Sequence, residues 1–599
     1  MEKLILAGNE ALARGAWEAG VEVAAAYPGT PSTEILENLS RYPEVYAEWS
    51  ANEKVALDVA IGAAYAGRRA LAAMKHVGLN VASDSLFYAS YTGVNAGLAI
   101  VTADDPGLHS SQNEQDNRHY ARFAKVPMLE PSDSQEAKDM VAQALELSEA
   151  FDTPVLIRTT TRTSHAKSIV QIGDRTRVPK RPYVKNPQKY VMIPGFARKR
   201  HPQVEDRIQR LKALAETYPG NRLHYADPSL GVIASGPSYQ YAREVFPQAS
   251  LLKLGMVWPL PEGLIREFAS KVDRLIVLEE LDPFFEDFVR WMGLPVEGKS
   301  IFPMVGEFSP ELVRQSAYEA GLVDRPPHRL QLQVGPLPMR PPVLCAGCGH
   351  RDVFWILRKL KLTVNSDIGC YALGVMPPLG ATDTIGCMGA SIGVATGMRR
   401  GGLESDNVAV IGDSTFFHAG LPALASAVYN GTPITTIIVD NRTTGMTGHQ
   451  GNPGSGLTLA GDRGHRVDIE AVVRAMGVVQ VATIPSTQRD ELETAIKQAV
   501  KSDRPSVVIA ETPCVFVSAQ EREPYVVELE DCNGCTLCFR IGCPAIYKSE
   551  VMDEKHNRPK AWIDPRACVG CGLCYDVCAR QAILPGALKL DAQPVEAMA

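Results

Sequence analysis

Eight of the thirteen cysteines in this 599-residue chain lie after residue 530, in two runs of similar spacing. Because C-x2-C-x2-C wraps the chain tightly, it presents three thiolates to one [4Fe–4S] cube, while the fourth cysteine of each run reaches the other cube. The spacing therefore predicts one cluster on Cys532, Cys535, Cys538 and Cys578, and a second on Cys543, Cys568, Cys571 and Cys574. Disulfides or two zinc sites are the alternatives, although all-cysteine zinc sites usually carry two x2 pairs.

A second pattern lies at two strand ends. Gly412-Asp413-Ser414 closes the apolar run VAVIGD, and Asn441 closes the run ITTIIVDN. The pair resembles the thiamine diphosphate motif, in which Asp413 and the Asn441 side-chain oxygen would bind Mg²⁺ together with the Thr443 carbonyl. Gly412 would let the backbone approach a diphosphate. A plain strand-end turn is the alternative for G-D-S alone, but Asn441 on a second strand favours the cofactor.

Thiamine chemistry also needs a carboxylate beside the aminopyrimidine ring, and two glutamates are candidates. Glu48 and Glu53 lie in AEWSANEKVALDVAIG, where Glu53 opens a helix of small residues. An acid that only complements the helix dipole is the alternative for Glu53. The glycine-rich segment 385–397 either directs a helix N-terminus at the diphosphate or forms a closely packed helix.

Short apolar strands alternating with helical segments predict an α/β protein whose parallel sheets hold these residues at their strand ends. Segment 166–225 is basic and proline-rich, and is interpreted as a crossing linker followed by a polar helix. The predicted segments are 1–165, the linker 166–225, a small parallel-sheet domain over 226–330, a third α/β domain over 343–520, and the cysteine-rich tail over 524–586.

Composition limits the class of protein. The chain is 45% hydrophobic and 22% charged, with a net charge of −7, which argues against nucleic acid as a main partner. The N-terminal residues contain no apolar core of signal-peptide length, and no stretch approaches the roughly 18 apolar residues of a transmembrane helix. We therefore expect a cytoplasmic protein without a membrane partner, in a compartment where thiols stay reduced.

Together these motifs identify a family. Tyr27-Pro28-Gly29-Thr30-Pro31-Ser32, Glu53, the C-A-G-C-G-H run at 345–350, Gly412-Asp413-Ser414 with Asn441, and the double-cysteine tail resemble the 2-oxoacid:ferredoxin oxidoreductases over essentially the whole chain. The order of parts is similar to that of the α subunits acting on indolepyruvate. The resemblance selects Glu53 as the ring-activating carboxylate and suggests Thr30 near the substrate carboxylate.

The resemblance also implies a fold for each segment. It makes 1–165 the pyrimidine-side thiamine diphosphate domain, 226–330 a transketolase-C-like domain and 343–520 the diphosphate-side domain. The tail, 524–586, becomes a two-cluster ferredoxin-like (α+β) domain.

The remaining cysteines fit a third cluster in this family. Cys345, Cys348, Cys370 and Cys514 match the four ligand positions of the thiamine-proximal cluster of related pyruvate oxidoreductases, and Cys387 is left over. Taken singly, Cys370 or Cys514 would be interpreted as a small buried hydrophobic residue.

The implied activity is oxidative decarboxylation of aryl 2-oxoacids with coenzyme A, with thiamine diphosphate, Mg²⁺ and [4Fe–4S] clusters as cofactors and external ferredoxin as acceptor. The family's γ-type domain is missing, which implies a separate small β subunit. Because thiamine folds pair their pyrimidine-side and diphosphate-side domains as dimers, the resemblance also implies two copies of each chain. A non-oxidative thiamine decarboxylase and an electron-transfer subunit are the alternative functions. His76, His109, Arg118, His350 and His418 are weaker candidates for substrate contacts, each also explained as a loop or helix-end residue.

Overall fold

The computed structural model describes residues 2–328, 335, 337–338, 340–518 and 522–586. The chain divides into two compact units, Met1–Val334 with Thr458–Asp462, and Gly335–Leu457 with Arg463–Ala599. The predicted boundaries at 330 and 520 lie outside the described residues. Within those residues, no helix combines the length and apolar character that crossing a membrane requires.

The first unit contains two sheets and an antiparallel strand pair. Its strands are β1 (Lys3–Ala7), β2 (Val23–Ala26), β3 (Tyr46–Trp49), β4 (Ala70–Lys75), β5 (Leu98–Asp104), β6 (Met128–Leu129), β7 (Val155–Thr160), β8 (Lys167–Gln171), β9 (Arg222–His224), β10 (Asp227–Ala234), β11 (Ala249–Lys253), β12 (Met256–Trp258) and β13 (Leu275–Leu278). Its helices are α1 (Gly8–Glu18), α2 (Thr33–Leu39), α3 (Glu53–Tyr65), α4 (His76–Val81), α5 (Ser83–Thr92), α6 (Arg118–Ala124), α7 (Ser134–Phe151), α8 (Thr161–His165), α9 (Pro187–Tyr190), α10 (Pro194–Ala215), α11 (Gly236–Val245), α12 (Glu262–Ala269), α13 (Phe284–Trp291) and α14 (Pro310–Glu319).

The larger sheet has the order β12-β6-β7-β5-β4-β2-β3. Its strands are parallel except β12, which pairs antiparallel with β6. Strand β5 is buried along its whole length, as expected for a parallel strand covered on both faces. Small residues bring α1 and α7 close together, since a Cβ on Gly15 would lie 2.2 Å from the Lys138 carbonyl oxygen. The predicted parallel α/β fold of this region is confirmed.

The smaller sheet of the first unit has the order β13-β10-β11-β9. Strands β10, β11 and β13 are parallel and match the predicted apolar runs. The predicted linker 166–225 also contains strand structure: β8 pairs with β1, and β9 pairs with β11. The polar helix predicted there is α10. Strand β12 follows β11 in the chain but joins the larger sheet, which the run of apolar residues did not indicate.

The second unit carries a parallel sheet and two small antiparallel pairs. Its strands are β14 (Thr363–Ser366), β15 (Thr384–Ile385), β16 (Asn407–Gly412), β17 (Thr435–Asp440), β18 (Gln480–Pro485), β19 (Ser506–Glu511), β20 (Tyr525–Val527), β21 (Ile546–Asp553), β22 (Arg558–Ile563) and β23 (Ile583–Pro585). Its helices are α15 (His350–Leu360), α16 (Ala390–Arg400), α17 (Asp413–Thr415), α18 (Leu421–Tyr429), α19 (Ile469–Ala475), α20 (Arg489–Val500) and α21 (Leu573–Asp576).

The parallel sheet of the second unit has the order β15-β14-β16-β17-β19-β18. The three predicted strands are β16, β17 and β19, and they lie side by side. After this sheet the chain forms the antiparallel pairs β20–β23 and β21–β22 around a small core of isoleucines and cysteines. This arrangement agrees with the predicted ferredoxin-like tail.

Candidate cofactor sites

The second unit brings together the three predicted magnesium ligands. The Asn441 side-chain oxygen lies 2.7 Å from the Thr443 carbonyl oxygen and 2.8 Å from Asp413 Oδ1. Three oxygens at these distances repel one another unless the amide turns to donate its NH₂ group or a cation lies among them. Carboxylate, amide and carbonyl oxygens are the ligands that Mg²⁺ takes in proteins. The residues therefore fit a divalent cation at the ends of β16 and β17.

Asp413 is buried and surrounded by groups that respond to its charge. Burial, and then the Asp440 carboxylate, raise the pKa of Asp413 to about 7. Asn452 donates to Asp413 Oδ2 at 2.9 Å and was not anticipated from the sequence. A bound cation would offset both causes of the raised pKa. Ser414 lies in the next turn, with its Oγ 2.9 Å from Thr444 Oγ1.

Gly412 has a different neighbour from the one expected. A Cβ at Gly412 would lie 2.6 Å from the ring of Tyr371. The glycine therefore makes room for this ring, and its close approach to a diphosphate stays a prediction.

The glycine-rich segment 385–397 leads into α16 and forms its first turns, and a helix here is what both interpretations required. Its N-terminus is capped by Asp367, a residue that the sequence analysis missed. Asp367 accepts from the Gly389 N–H at 2.8 Å and from the Ser391 N–H at 2.9 Å. Since these two N–H groups are already paired, a diphosphate at this helix would have to bind other donors.

His350 lies close enough to Asp413 for their charges to interact, and it has an unusual environment. Burial lowers its pKa to about 4, and the charge of Asp413 opposes this shift. Neither ring nitrogen has a hydrogen-bond partner among the described residues. Buried polar atoms without partners are rare in proteins, so this site has the character of one completed by a ligand. His418 is also buried, in a π-helical turn at Phe416–Gly420.

In the first unit, Glu53 is the first residue of α3, as predicted. Asn52 caps this helix by accepting from the Val55 N–H at 2.9 Å. The Glu53 side chain is only 4% exposed, and Gly78 leaves space for it, because a Cβ there would lie 2.7 Å from Glu53 Cγ. The competing candidate, Glu48, accepts instead from the hydroxyls of Tyr46 and Ser50.

Thr30 lies at the same edge of the sheet, after β2. Ser110 Oγ donates to the Thr30 carbonyl oxygen at 3.3 Å, and Lys75 Nζ donates to the Ser110 carbonyl oxygen at 3.0 Å. Lys75 is the last residue of β4 and was not a sequence candidate. Its charge and that of Glu53 lie close enough to interact.

The weaker candidates of this unit have structural partners. Arg118 is fully buried, pairs with Asp116, and donates to Glu279 Oε2 at 2.6 Å. His76 is buried, with Nε2 3.2 Å from the Asn113 carbonyl oxygen, and burial lowers its pKa. His109 Nε2 lies 3.3 Å from Glu307 Oε2. Because the guanidinium group of Arg118 is already paired with two carboxylates, a contact between Arg118 and the substrate is not expected.

The tail brings its cysteines together in the two predicted sets. Burial, followed by the nearby thiols of Cys532, Cys535 and Cys578, raises the pKa of Cys538 to about 12. Burial and the thiols of Cys571, Cys568 and Cys543 likewise raise the pKa of Cys574. Each fourth cysteine therefore lies with the three thiols of the other run. Iron would reverse these shifts, since a metal stabilises the thiolate.

The four cysteines proposed for a third cluster also converge. Burial, then the thiols of Cys348, Cys514 and Cys345, raise the pKa of Cys370 to about 12. Cys514 Sγ lies 3.7 Å from Nδ1 of His449. Cys387 is exposed, in agreement with its place outside the set.

The spacing of the sulfurs bears on the metal. A tetrahedral zinc ion with Zn–S bonds of about 2.3 Å holds its sulfurs about 3.8 Å apart. All twelve thiols lie in described residues, and no three of them have sulfurs mutually within 4.8 Å. Among the described residues, the cysteine sets are thus wider than a single tetrahedral zinc site.

The third set adjoins one of the tail sets. A small cavity of about 20 Å³ is lined by Cys543, Cys568, Cys571 and Cys574 and also by Ala346 and Gly347 from the third set's loop. Gly347 has a φ of +70°, and a Cβ there would lie 2.0 Å from Val569. Only glycine allows this approach of the two loops.

Three family models match the chain. Thiamine pyrophosphate enzyme, C-terminal TPP binding domain, matches residues 367–510. Pyruvate flavodoxin/ferredoxin oxidoreductase, thiamine diP-bdg, matches residues 14–209, and 4Fe-4S binding domain matches residues 561–583.

Similar proteins extend over the full length. Indolepyruvate oxidoreductase subunit IorA of Methanothermobacter thermautotrophicus is 41% identical over 98% of this chain and 97% of its own. The subunit of the same name from Archaeoglobus fulgidus is 42% identical over 98% of both chains. A solved 2-oxoglutarate:ferredoxin oxidoreductase from Magnetococcus marinus is 18% identical, with a TM-score of 0.44, over 53% of this chain and 65% of that chain.

Proposed function

Because the chain belongs to the family of indolepyruvate oxidoreductase A subunits, we propose that it oxidatively decarboxylates aryl 2-oxoacids, namely indolepyruvate and phenylpyruvates. The enzyme class is thiamine diphosphate-dependent 2-oxoacid:ferredoxin oxidoreductase. One oxoacid and one coenzyme A yield an aryl-acetyl-CoA, CO₂ and a proton, while two electrons reduce ferredoxin. The observation that carries the proposal is one chain with both a convergent Asp413–Asn441–Thr443 oxygen site and three four-cysteine sets.

The residues have separate tasks in this proposal. Thiamine diphosphate, when bound, supplies the carbanion chemistry at the ketone carbon. Asp413, Asn441 and the Thr443 carbonyl hold Mg²⁺, and Gly412 and Ser414 adjoin the diphosphate. Glu53 would hydrogen-bond the ring nitrogen of the aminopyrimidine and favour its imino tautomer, a role supported by its buried position at the start of α3. Thr30 contacts the substrate.

Electrons leave through the cysteine sets. Cys345, Cys348, Cys370 and Cys514 would hold the cluster nearest to thiamine diphosphate, and the adjoining set of Cys543, Cys568, Cys571 and Cys574 would hold a second; bound clusters would supply one-electron transfer. Support comes from the small cavity where Ala346 and Gly347, between two cysteines of the first set, meet the cysteines of the second. Cys532, Cys535, Cys538 and Cys578 would hold a third cluster, from which ferredoxin would accept electrons.

The chain works with partners in this proposal. Its relatives are named as A subunits, which supports a small β subunit, and we expect two copies of each chain in the complex. A cytoplasmic location suits thiolates that must stay reduced.

An anaerobic assay tests the function. The chain co-expressed with its β partner is given indolepyruvate, coenzyme A and a viologen dye, and dye reduction and thioester are measured together. Dye reduction dependent on coenzyme A is the expected result. Release of aldehyde without dye reduction would indicate a non-oxidative decarboxylase, and no turnover with the partner present would indicate an electron-transfer subunit.

A further inference from the structure

Lys75 lies at the edge of the sheet that carries the predicted active-site residues Thr30 and Glu53. It ends β4, beside β2 and β5 in the parallel sheet. Thr30 follows β2 and Ser110 follows β5, so the three residues share the carboxyl edge of the sheet, where α/β proteins bind ligands. Glu53 lies at the same edge, at the start of α3.

Contacts hold the Lys75 side chain against Gly29 and Ser110, at the edge of the sheet that carries Thr30 and Glu53. Its Cγ and Cδ atoms lie 3.3 and 3.4 Å from the position of a Cβ on Gly29, next to Thr30. Its Nζ donates to the carbonyl oxygen of Ser110 at 3.0 Å, and Ser110 Oγ donates to the Thr30 carbonyl oxygen at 3.3 Å. One hydrogen bond leaves the ammonium group with two more N–H donors to offer.

The charge of Lys75 is not neutralised by a close partner. Burial lowers the pKa of Lys75, and the charges of Asp105 and Glu53 oppose this shift without an ion pair. Among the described residues, no carboxylate oxygen lies within 4.0 Å of its Nζ. Asp105 already accepts from the Ser110 N–H at 2.8 Å, from Ser111 Oγ at 2.7 Å and from Thr161 Oγ1 at 2.7 Å.

The other cationic side chains near this edge of the sheet have carboxylate partners. Arg118 and Arg158 are buried among carboxylates, and Arg162 donates to Glu307 Oε2 at 2.7 Å. His165 lies 3.7 Å from Glu34 Oε1. A half-buried ammonium group without a carboxylate partner is costly unless an anion completes its environment.

We propose that Lys75 binds the carboxylate of the 2-oxoacid substrate. This inference rests on the proposed function, since it takes Glu53 and Thr30 as neighbours of the reacting carbonyl. All 2-oxoacids have this carboxylate, so Lys75 recognises the acid group and does not select the aryl group. The negative charge of the substrate carboxylate disperses as CO₂ leaves. The contact between Lys75 and this carboxylate is therefore stronger in the ground state than in the transition state.

Because the contact is stronger in the ground state, its loss should change KM more than kcat. In the complex with the β subunit, Lys75→Met raises KM for the oxoacid about ten- to hundredfold, the range of a lost charge-assisted hydrogen bond, while kcat changes far less. Lys75→Arg keeps the charge and recovers part of the affinity. Lys299→Met is the matched control, because Lys299 is also half-buried, also has a pKa lowered by burial, and donates to a carbonyl oxygen at 2.7 Å. The control keeps the wild-type KM.

A binding experiment separates the charge from general damage. The probes are 3-(indol-3-yl)propionate, which keeps the carboxylate but has no ketone, and its primary amide, which is neutral. Dissociation constants are measured by calorimetry on the complete complex loaded with its cofactors. The wild type is expected to bind the acid more tightly than the amide. In Lys75→Met the ratio of the two affinities should fall at least tenfold, while the affinity for the amide stays the same. Should Lys75→Met fail to fold, Lys75→Gln and Lys75→Arg are compared in the same way.

The outcomes distinguish two failures. If the wild type prefers the acid and Lys75→Met prefers it equally, the Lys75 contact is wrong and the proposed function stands. If the acid does not compete with the oxoacid in the wild type, or Glu53→Gln turns over normally, the site itself is wrong.

Discussion

The guanidinium group of Arg351 donates to the carbonyl oxygen of Gly542 at 2.6 Å. The same side chain donates to the carbonyl oxygens of Ile541, Leu344 and Cys345. Arg351 is buried, and it joins the loop that begins with Cys345 to the loop that leads into Cys543. One residue therefore holds the ligand loops of two adjacent cysteine sets in register.

Arg351→Met is expected to destabilise both sets. It leaves carbonyl oxygens buried without donors, at about 1–3 kcal/mol for each group that stays unsatisfied. Thermal melting and iron per chain should both fall relative to the wild type. Arg351→Lys keeps a positive charge but not the planar guanidinium group. Its thermal stability and iron content should therefore lie between those of the wild type and Arg351→Met. Unchanged iron in Arg351→Met would contradict this role.

Glu53→Gln tests the assignment of the ring-activating carboxylate. The substitution keeps the shape of the side chain and removes its charge, so thiamine diphosphate binding should survive while turnover falls at least a hundredfold, roughly the contribution of a positioned acid–base group. Cofactor content and kcat are measured on the same preparation. Glu48→Gln is the control, because Glu48 accepts from the hydroxyls of Tyr46 and Ser50, and it should keep most activity.

Asp413→Ala should weaken the binding of thiamine diphosphate, whereas Glu53→Gln should lower the turnover rate. Without this carboxylate the Asn441 and Thr443 oxygens cannot hold Mg²⁺ alone, and the purified chain should lose thiamine diphosphate. Titration of the apoprotein with Mg²⁺ and thiamine diphosphate measures the loss. Asp440→Asn is a useful comparison, since it removes the charge that acts on Asp413 but not a predicted ligand. Normal cofactor content in Asp413→Ala would remove the magnesium assignment.

Glu280 predicts a pH dependence of stability. Burial raises its pKa to about 7, and its Oε1 accepts from the Phe308 N–H at 2.7 Å. Because the folded pKa exceeds the unfolded one, the folded protein holds a proton that the unfolded chain releases, and stability falls as pH rises from about 4.5 through 7. The fall attributable to this group is about 3 kcal/mol. In Glu280→Gln, denaturation at pH 5 and pH 8 should differ less than in the wild type.

Much of the candidate chemistry was predictable because it depends on local spacing. The C-x2-C runs bring thiols together by chain geometry, and Asp413 and Asn441 follow neighbouring strands whose ends must meet. Lys75, Asp367 and Arg351 were missed for the opposite reason. Each acts through partners brought near by the sheet or by another domain, and a single lysine, aspartate or arginine carries no spacing signal.

The fold shows the same division. Apolar runs predicted β16, β17 and β19 and their parallel arrangement, since a doubly covered strand needs a continuous hydrophobic sequence. They did not predict that β12, three residues long, leaves the sheet of β11 to pair with β6. A strand that short takes its partner from tertiary packing. Strand β8 escaped notice because its pairing with β1 spans more than 150 residues.

The third cluster gives the sharpest test of the cysteine assignment, because the chain supplies its own control. Cys370→Ala removes one thiol of the convergent set, whereas Cys387→Ala removes an exposed thiol outside it. Three cubes require half as much iron again as two, so Cys370→Ala should lose about a third of the iron and one reduced-cluster signal in electron paramagnetic resonance. Cys387→Ala should keep the wild-type content. Dye reduction should fall in Cys370→Ala alone, since the electrons lose their first acceptor while the tail clusters stay intact. Equal iron in both variants would mean that Cys345, Cys348, Cys370 and Cys514 hold no cluster, and that electrons reach the tail directly.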